Sequence, residues 1–240
     1  LEGFKDINRE ETLARIYSMA KESWEYRKPI TVNREMIDVD SDGDYDHLKH
    51  TMIGFSIFFS TYTLVFSIGT ILSDRQYNTW QRMLMSPVSK ASLLGGSMIA
   101  AYIIGFFQLS ILILGGKYLF NLDWGSSILG VLLIAAAFVF TMTSFGLFLS
   151  GVVKTYSQLA AITPVVLTST AMLGGCMWPL EIISSKVLLT LANFTPHKWA
   201  VEGMEKIAVY GYGFEAAIMP ILVLIGMGII FFGAGIKLVS

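Results

Sequence analysis

The sequence predicts an all-α integral membrane protein. Three observations carry that prediction: 54% of the 240 residues are hydrophobic and only 15% charged, the mean hydropathy is +0.61, and the apolar residues gather into five membrane-length segments with no charge at their centres. A soluble domain carries about a quarter charged residues, and a bilayer core takes about 20 apolar helical residues to cross. Both comparisons point away from water and into lipid.

The chain opens with a polar arm, since residues 1–50 hold twelve Asp/Glu against eight Lys/Arg. Leu13, Ile16, Tyr17, Ala20 and Trp24 recur at helical spacing within residues 10–27, predicting an amphipathic helix that needs a partner surface and is ended by Pro29. The following PITVNREMI alternates weakly and reads as a strand. Asp38, Asp40, Asp42, Gly43, Asp44 and Asp46 imitate the start of a calcium loop, but Lys49 stands at the twelfth position, where a bidentate glutamate would close the cage. The run reads as an acidic tether. With neither a secretory leader nor an initiator methionine, the chain is expected to be the C-terminal part of a longer protein with at least one earlier membrane span.

The five segments cover roughly residues 51–72, 91–116, 126–153, 156–180 and 214–236. Lys117 snorkels at the end of the second, and Lys154 falls in the tight turn between the third and fourth. Small residues that let helices approach in lipid occur at Ala101 with Gly105, at Gly146 with Ser150, and along Gly226, Gly228, Gly233 and Gly235. Pro164 is expected to kink the fourth segment.

Between the first two segments, residues 73–90 read as a short amphipathic helix. Tyr77, Trp80 and Leu84 share one face, and Arg75, Asn78, Thr79 and Arg82 another. Ser73 or Asp74 is the expected cap and Pro87 the stop. If this interruption is cytoplasmic, the inner side holds Arg75, Arg82, Lys90, Lys154 and Lys237, against Lys117, Lys186, Lys198 and Lys206 outside. That count leans towards a cytoplasmic C-terminus by the positive-inside rule.

Several function classes lack support. No ionisable residue sits at mid-membrane, so an ion-coupled carrier has no visible machinery. G-x-x-x-x-G-K-[ST], G-x-S-x-G and H-E-x-x-H are all missing, so any nucleotide motor is another polypeptide. The single cysteine, Cys176, excludes an intrachain disulfide, and three histidines make a poor metal set. A net charge of −1 gives no nucleic-acid signal. Ser60, Thr63 and Ser67 in the first segment and Thr168 and Thr170 in the fourth are candidates for a mildly polar substrate path. They are equally able to bond back to their own helix carbonyls.

After the fourth segment, residues 178–213 form an amphipathic hairpin, expected to be two short helices dipping into the outer leaflet. Thr195 is positioned to cap a helix that opens with Pro196, while Trp178 and Trp199 suit a membrane interface. His197 is expected at that interface too.

Two motif sets together resemble the ABC-2 type permeases, the membrane subunits of ATP-driven exporters. The first is Asp74, Arg75, Asn78, Thr79, Arg82, Leu84, Ser86, Pro87 and Val88, with Asp74 where glutamate is commoner and Asn78 where glycine is usual. The second is Gly174, Gly175, Pro179, Pro196, Trp199 and Ala200. The resemblance is carried by residues 51–240. It implies a six-span permease of which this chain holds spans two to six, with residues 1–50 as the end of an extracytoplasmic domain. It further implies pairing with a second permease, identical or not, and with ATPase subunits that bind ATP and Mg. Residues 73–90 would then be a coupling helix, with Asp74, Arg75, Asn78, Thr79, Arg82 and Pro87 as the contact set. The charge-free, hydroxyl-rich segments favour an amphipathic cargo such as a drug, antibiotic or lipid-like molecule. The alternatives are a sodium exporter or ion channel and, with only His197, Glu202 and Glu205 as candidate reactive groups, a membrane-embedded enzyme.

Overall fold

The computed structural model describes residues 13–19, 21, 47–85, 87 and 89–239. The chain divides into two units, Leu1–Asp44 and Tyr45–Ser240. In the first, residues 13–19 are helical and exposed, within the stretch where the arm helix is expected. Trp24, the strand expected over residues 29–37 and the acidic run at residues 38–46 lie outside the described residues.

Every regular element described in the second unit is helical. The order is α1 (His47–Gln76), α2 (Thr79–Leu84), α3 (Lys90–Leu119), α4 (Ile128–Val152), α5 (Tyr156–Leu173), a 3-10 turn (Leu180–Ile182), α6 (Lys186–Ala192), α7 (Pro196–Ala208) and α8 (Glu215–Val239). Side-chain caps start three of them. Ser89 accepts from Ser92 N–H, Ser127 from Gly130 N–H and Thr155 from Gln158 N–H. Gln158 Oε1 accepts in return from Lys154 N–H at 3.0 Å, so the tight turn before α5 is held from both sides, in the manner of a capping box.

α4 is the central helix, with Val131, Ile134, Ala135, Phe138, Val139 and Met142 all fully buried. A helix apolar all round needs such a position. It packs along α8 and against α1, α3 and α7, while α5 rests chiefly on α1. Close approach comes from small residues: a Cβ on Gly228 would sit 2.6 Å from the Phe140 ring, and one on Gly146 3.1 Å from Val65 Cα. Thr141 Oγ1 donates to Leu224 O at 2.7 Å across the α4–α8 contact as well as to Ala137 O at 2.8 Å in its own helix. Gly226 and Gly233 face open space instead.

Among the described residues, four helices are long and apolar enough to cross a membrane: His47–Gln76, Ser92–Leu119, Ile128–Val152 and Glu215–Val239. The fourth expected segment differs from its prediction. Instead of running to residue 180, α5 stops at Leu173 after 18 residues, a rise of about 27 Å, just short of a bilayer core of about 30 Å. The stop is a Schellman turn: Cys176 N–H bonds to Ala171 O at 3.0 Å and Gly175 N–H to Met172 O at 3.3 Å, with Gly175 at φ 82°. That left-handed position is the one glycine fills without a steric penalty.

Candidate functional site

The interruption between the first two long helices is shorter than the sequence predicts. α1 continues through Asp74 and Arg75 to Gln76, with Tyr77 N–H still bonded to Ser73 O at 3.0 Å. Neither Ser73 nor Asp74 is therefore a cap. The chain turns at Asn78, whose φ of 58° is left-handed, and α2 then spans only six residues. Asparagine is among the few residues that enter this region readily, so its place at a position where glycine is usual has a conformational reason. α2 ends at Leu84, before Pro87 is reached.

The two faces of this wedge also sort differently. Asn78, Thr79, Gln81, Arg82 and Pro87 are exposed, and Asp74 is half-buried. Trp80 is buried among Ile68, Ile71, Leu94, Met98, Ala101, Leu147 and Val239, whereas Tyr77, expected beside it, is exposed because it precedes the turn. Arg75 parts from the other polar residues: its guanidinium donates to Val239 O and lies 5.4 Å from the centre of the Trp80 ring.

At the opposite end of α1 the hairpin is built from the second motif set. Gly174 admits the first turn of α7, since a Cβ there would lie 2.5 Å from His197 Cβ and 2.7 Å from Lys198 N. Pro179 precedes the 3-10 turn, and Pro196 occupies the first turn of α7. Trp199 Nε1 donates to Asn193 O at 2.9 Å. Thr195 stands at the N-cap without making the side-chain cap. Its hydroxyl donates backwards to Ala192 O at 2.8 Å.

His197 is fully buried rather than interfacial. Thr61 Oγ1 donates to Ile57 O at 2.8 Å, which leaves its oxygen to accept from His197 Nε2–H at 3.2 Å. The proton therefore sits on Nε2. The ring stands edge-on to Phe138, and burial pushes its pKa down to about 3. Glu205, also buried, accepts from His50 Nδ1–H at 2.5 Å, and Lys49 Nζ donates to Ala208 O at 3.1 Å. Glu202 accepts from Lys198 and Lys206, each at 2.8 Å. Burial alone would raise its pKa, and those two lysines bring it below the usual carboxylate range.

Thus His197 turns to Thr61, Glu202 to Lys198 and Lys206, and Glu205 to His50. A cavity of about 360 Å³ lies beside them, lined by His50, Glu181, Asn193, Lys198, Glu202 and Glu205 among others. The His50–Glu205 contact joins residues far apart in sequence. Its one visible signal is a carboxylate on the buried stripe of α7, where an ionisable group demands a partner.

The hydroxyl residues divide. Ser60 donates to Ser56 O at 2.6 Å and Thr170 to Val166 O at 2.8 Å, both back-bonded. Thr168 instead shares a 2.9 Å hydrogen bond with the Tyr62 hydroxyl, joining α5 to α1. Thr63 and Ser67 are half-buried on α1. An apolar cavity of about 510 Å³, with Tyr102, Ala137, Phe140 and Ile225 in its wall, opens between α3, α4 and α8.

Comparison with known proteins agrees with this architecture. Residues 6–237 match the model of the ABC-2 family transporter protein. The chain is 30% identical over 213 residues to the linearmycin resistance permease protein LnrN of Bacillus subtilis (strain 168). That alignment covers 87% of this chain and 54% of the relative, so the chain spans about half of LnrN's length. No solved structure matches. Helices long and apolar enough to cross a membrane, a short helix set between the first two of them, and a family match across nearly the whole chain lead to one conclusion: this is a multi-pass membrane protein of the ABC-2 transporter family.

Proposed function

We propose that this chain is the transmembrane subunit of an ABC exporter, driven by ATP hydrolysis on a separate ATPase subunit that binds ATP and Mg. The observation that carries the proposal is α2 itself. It is a six-residue helix set between two long apolar helices, with Trp80 buried at its root and Asn78, Thr79, Gln81 and Arg82 exposed. A short rigid helix held from inside and polar outside is suited to receive a push from a partner protein. In this reading α2 faces the cytoplasm together with the C-terminal end of α8, the hairpin and residues 1–50 lie on the extracytoplasmic side, and α5 completes the bundle as a short crossing.

The contact set is Asn78, Thr79 and Arg82, with Asp74 and Pro87 at its margins. Charge reversal, Arg82→Glu, is predicted to leave the permease inserted while the ATPase no longer copurifies and ATP hydrolysis is uncoupled from export. Unchanged copurification and export would count heavily against the proposal.

The cargo we propose is amphipathic: a drug, an antibiotic or a lipid-like molecule, moved between this permease and a second one, identical or related. The long helices carry no charge at mid-length but do carry hydroxyls, some turned to neighbouring helices, and the apolar cavity between α3, α4 and α8 suits membrane lipid. That LnrN is a linearmycin resistance permease fits a cargo of this class. Transport of candidate amphiphiles into sealed vesicles holding the permease and its ATPase tests it. Electrical recording across a bilayer separates this pump from a channel or a sodium exporter.

A further inference from the structure

We infer that Arg75 and Trp80 form the internal joint through which displacement of α2 reaches the long helices, and that Arg75 is no part of the surface meeting the ATPase. The inference rests on the reading of α2 as the coupling helix and adds how that helix is fastened.

Trp80 is the buried root of α2, and the apolar cluster to which it belongs draws on every long helix. Ile68 and Ile71 belong to α1, Leu94, Met98 and Ala101 to α3, Leu147 to α4 and Val239 to α8. This cluster is separate from the main core around Phe138 and Met142. Close-packed apolar groups transmit displacement because they have no free volume into which to yield. A shift of α2 therefore moves Trp80, and the cluster around Trp80 reaches four helices. α5 contributes no residue to the cluster.

Arg75 fastens the same point from the other side. One guanidinium nitrogen donates to Val239 O in the last turn of α8, where a cation meets the negative end of the helix dipole. The central carbon of the same group lies over the Trp80 ring, 5.4 Å from its centre, a cation–π distance. One side chain thus ties the end of α1, the root of α2 and the end of α8. A lysine could supply the charge and one hydrogen bond, but it has no planar group to cover the indole while a separate N–H reaches the carbonyl. Asn78, Thr79 and Arg82, by contrast, stay exposed.

The test uses the full-length transporter with its ATPase in lipid nanodiscs, carrying nitroxide labels at Phe59 of α1 and Val165 of α5, both exposed. In the parent protein, ATP is expected to change the distance between the labels. Trp80→Ala and Arg75→Gln are expected to retain the bound ATPase and lose that change, Trp80→Phe to restore it and Arg75→Lys to fail to do so. Should the alanine variant not be recovered folded, Arg75→Lys decides. A parent-like ATP response in Arg75→Lys or Arg75→Gln overturns the joint, as does loss of the ATPase from either, which would return Arg75 to the docking surface. Arg82→Glu is read alongside. If it keeps the ATPase bound, the coupling-helix reading fails, whatever the label distances show.

Discussion

His197 shows how much a single side chain is asked to do in the hairpin. It packs under Gly174, hydrogen-bonds Thr61 of α1 and touches Phe138 of α4. Held neutral by burial, it binds a proton only near pH 3 when folded, against an ordinary value of 6.5. Between those two values the unfolded state binds more protons, so the contribution to stability is whole above pH 6.5 and is lost as pH falls towards 3. The melting temperature of the purified protein in detergent is therefore expected to fall through that window. His197→Gln, which keeps a donor near Thr61 and removes the titrating ring, is expected to flatten the fall, and an equal slope in both proteins would contradict the assignment. The sequence marks His197 as a single histidine next to a helix-starting proline and no more, because burial of this kind is decided by α1 and α4, which lie far away in the chain.

At the scale of elements, what was legible followed from length and apolarity. The four long helices lie where uninterrupted apolar runs predict them, α1 and α3 reaching past both expected ends and α4 falling just within its expected bounds. The short elements were harder to read. A helical wheel over residues 73–90 sets Trp80 apart from Thr79 and Arg82 but cannot show that the chain breaks at Asn78, which removes Tyr77 and Arg75 from the faces assigned to them. Nor does it reveal whether the aromatic face meets lipid or protein; Trp80 meets protein. The pair Gly174 and Gly175 is visible in the sequence, yet its effect, ending α5 at Leu173, depends on the carbonyls that it caps. The turn at Asn78 gives a direct prediction. Asn78→Gly is expected to fold and couple like the parent, whereas Asn78→Ala keeps a Cβ in the left-handed region but loses the short polar side chain that eases that conformation, at a cost of up to about 1–2 kcal/mol. The measurement is melting temperature together with proteolysis around residues 77–79. Equal behaviour of the two variants would show that the turn is not held left-handed.

Across the whole molecule, α1 is the member shared by both candidate sites. Its first half is fixed to the hairpin through Lys49, His50 and Thr61, and its last turn to α2 and α8 through Arg75. A helix of 30 residues extends about 45 Å, long enough to carry a displacement from one face of a bilayer to the other. α5 rests chiefly on it and buries Leu159, Thr163, Leu167 and Ala171, a single stripe at four-residue spacing. Its other side, at Ile162 and Val165, is exposed. Under the proposed export function, movement of α1 against that narrow contact is expected to open a way for cargo. The family was readable from the two motif sets because they shape turns and caps, which are local. The joint beneath the wedge was not, because its parts come from five helices. The most direct measurement of the central claim, that a separate ATPase drives this wedge, is site-specific photo-crosslinking from residue 79 in cells expressing the full-length transporter, with the adduct identified by mass spectrometry. A covalent adduct with a nucleotide-binding ATPase subunit, lost in Arg82→Glu, is the expected result. Absence of that adduct, with the exposed wedge labelled instead by a membrane-impermeant reagent added outside sealed cells, would contradict it.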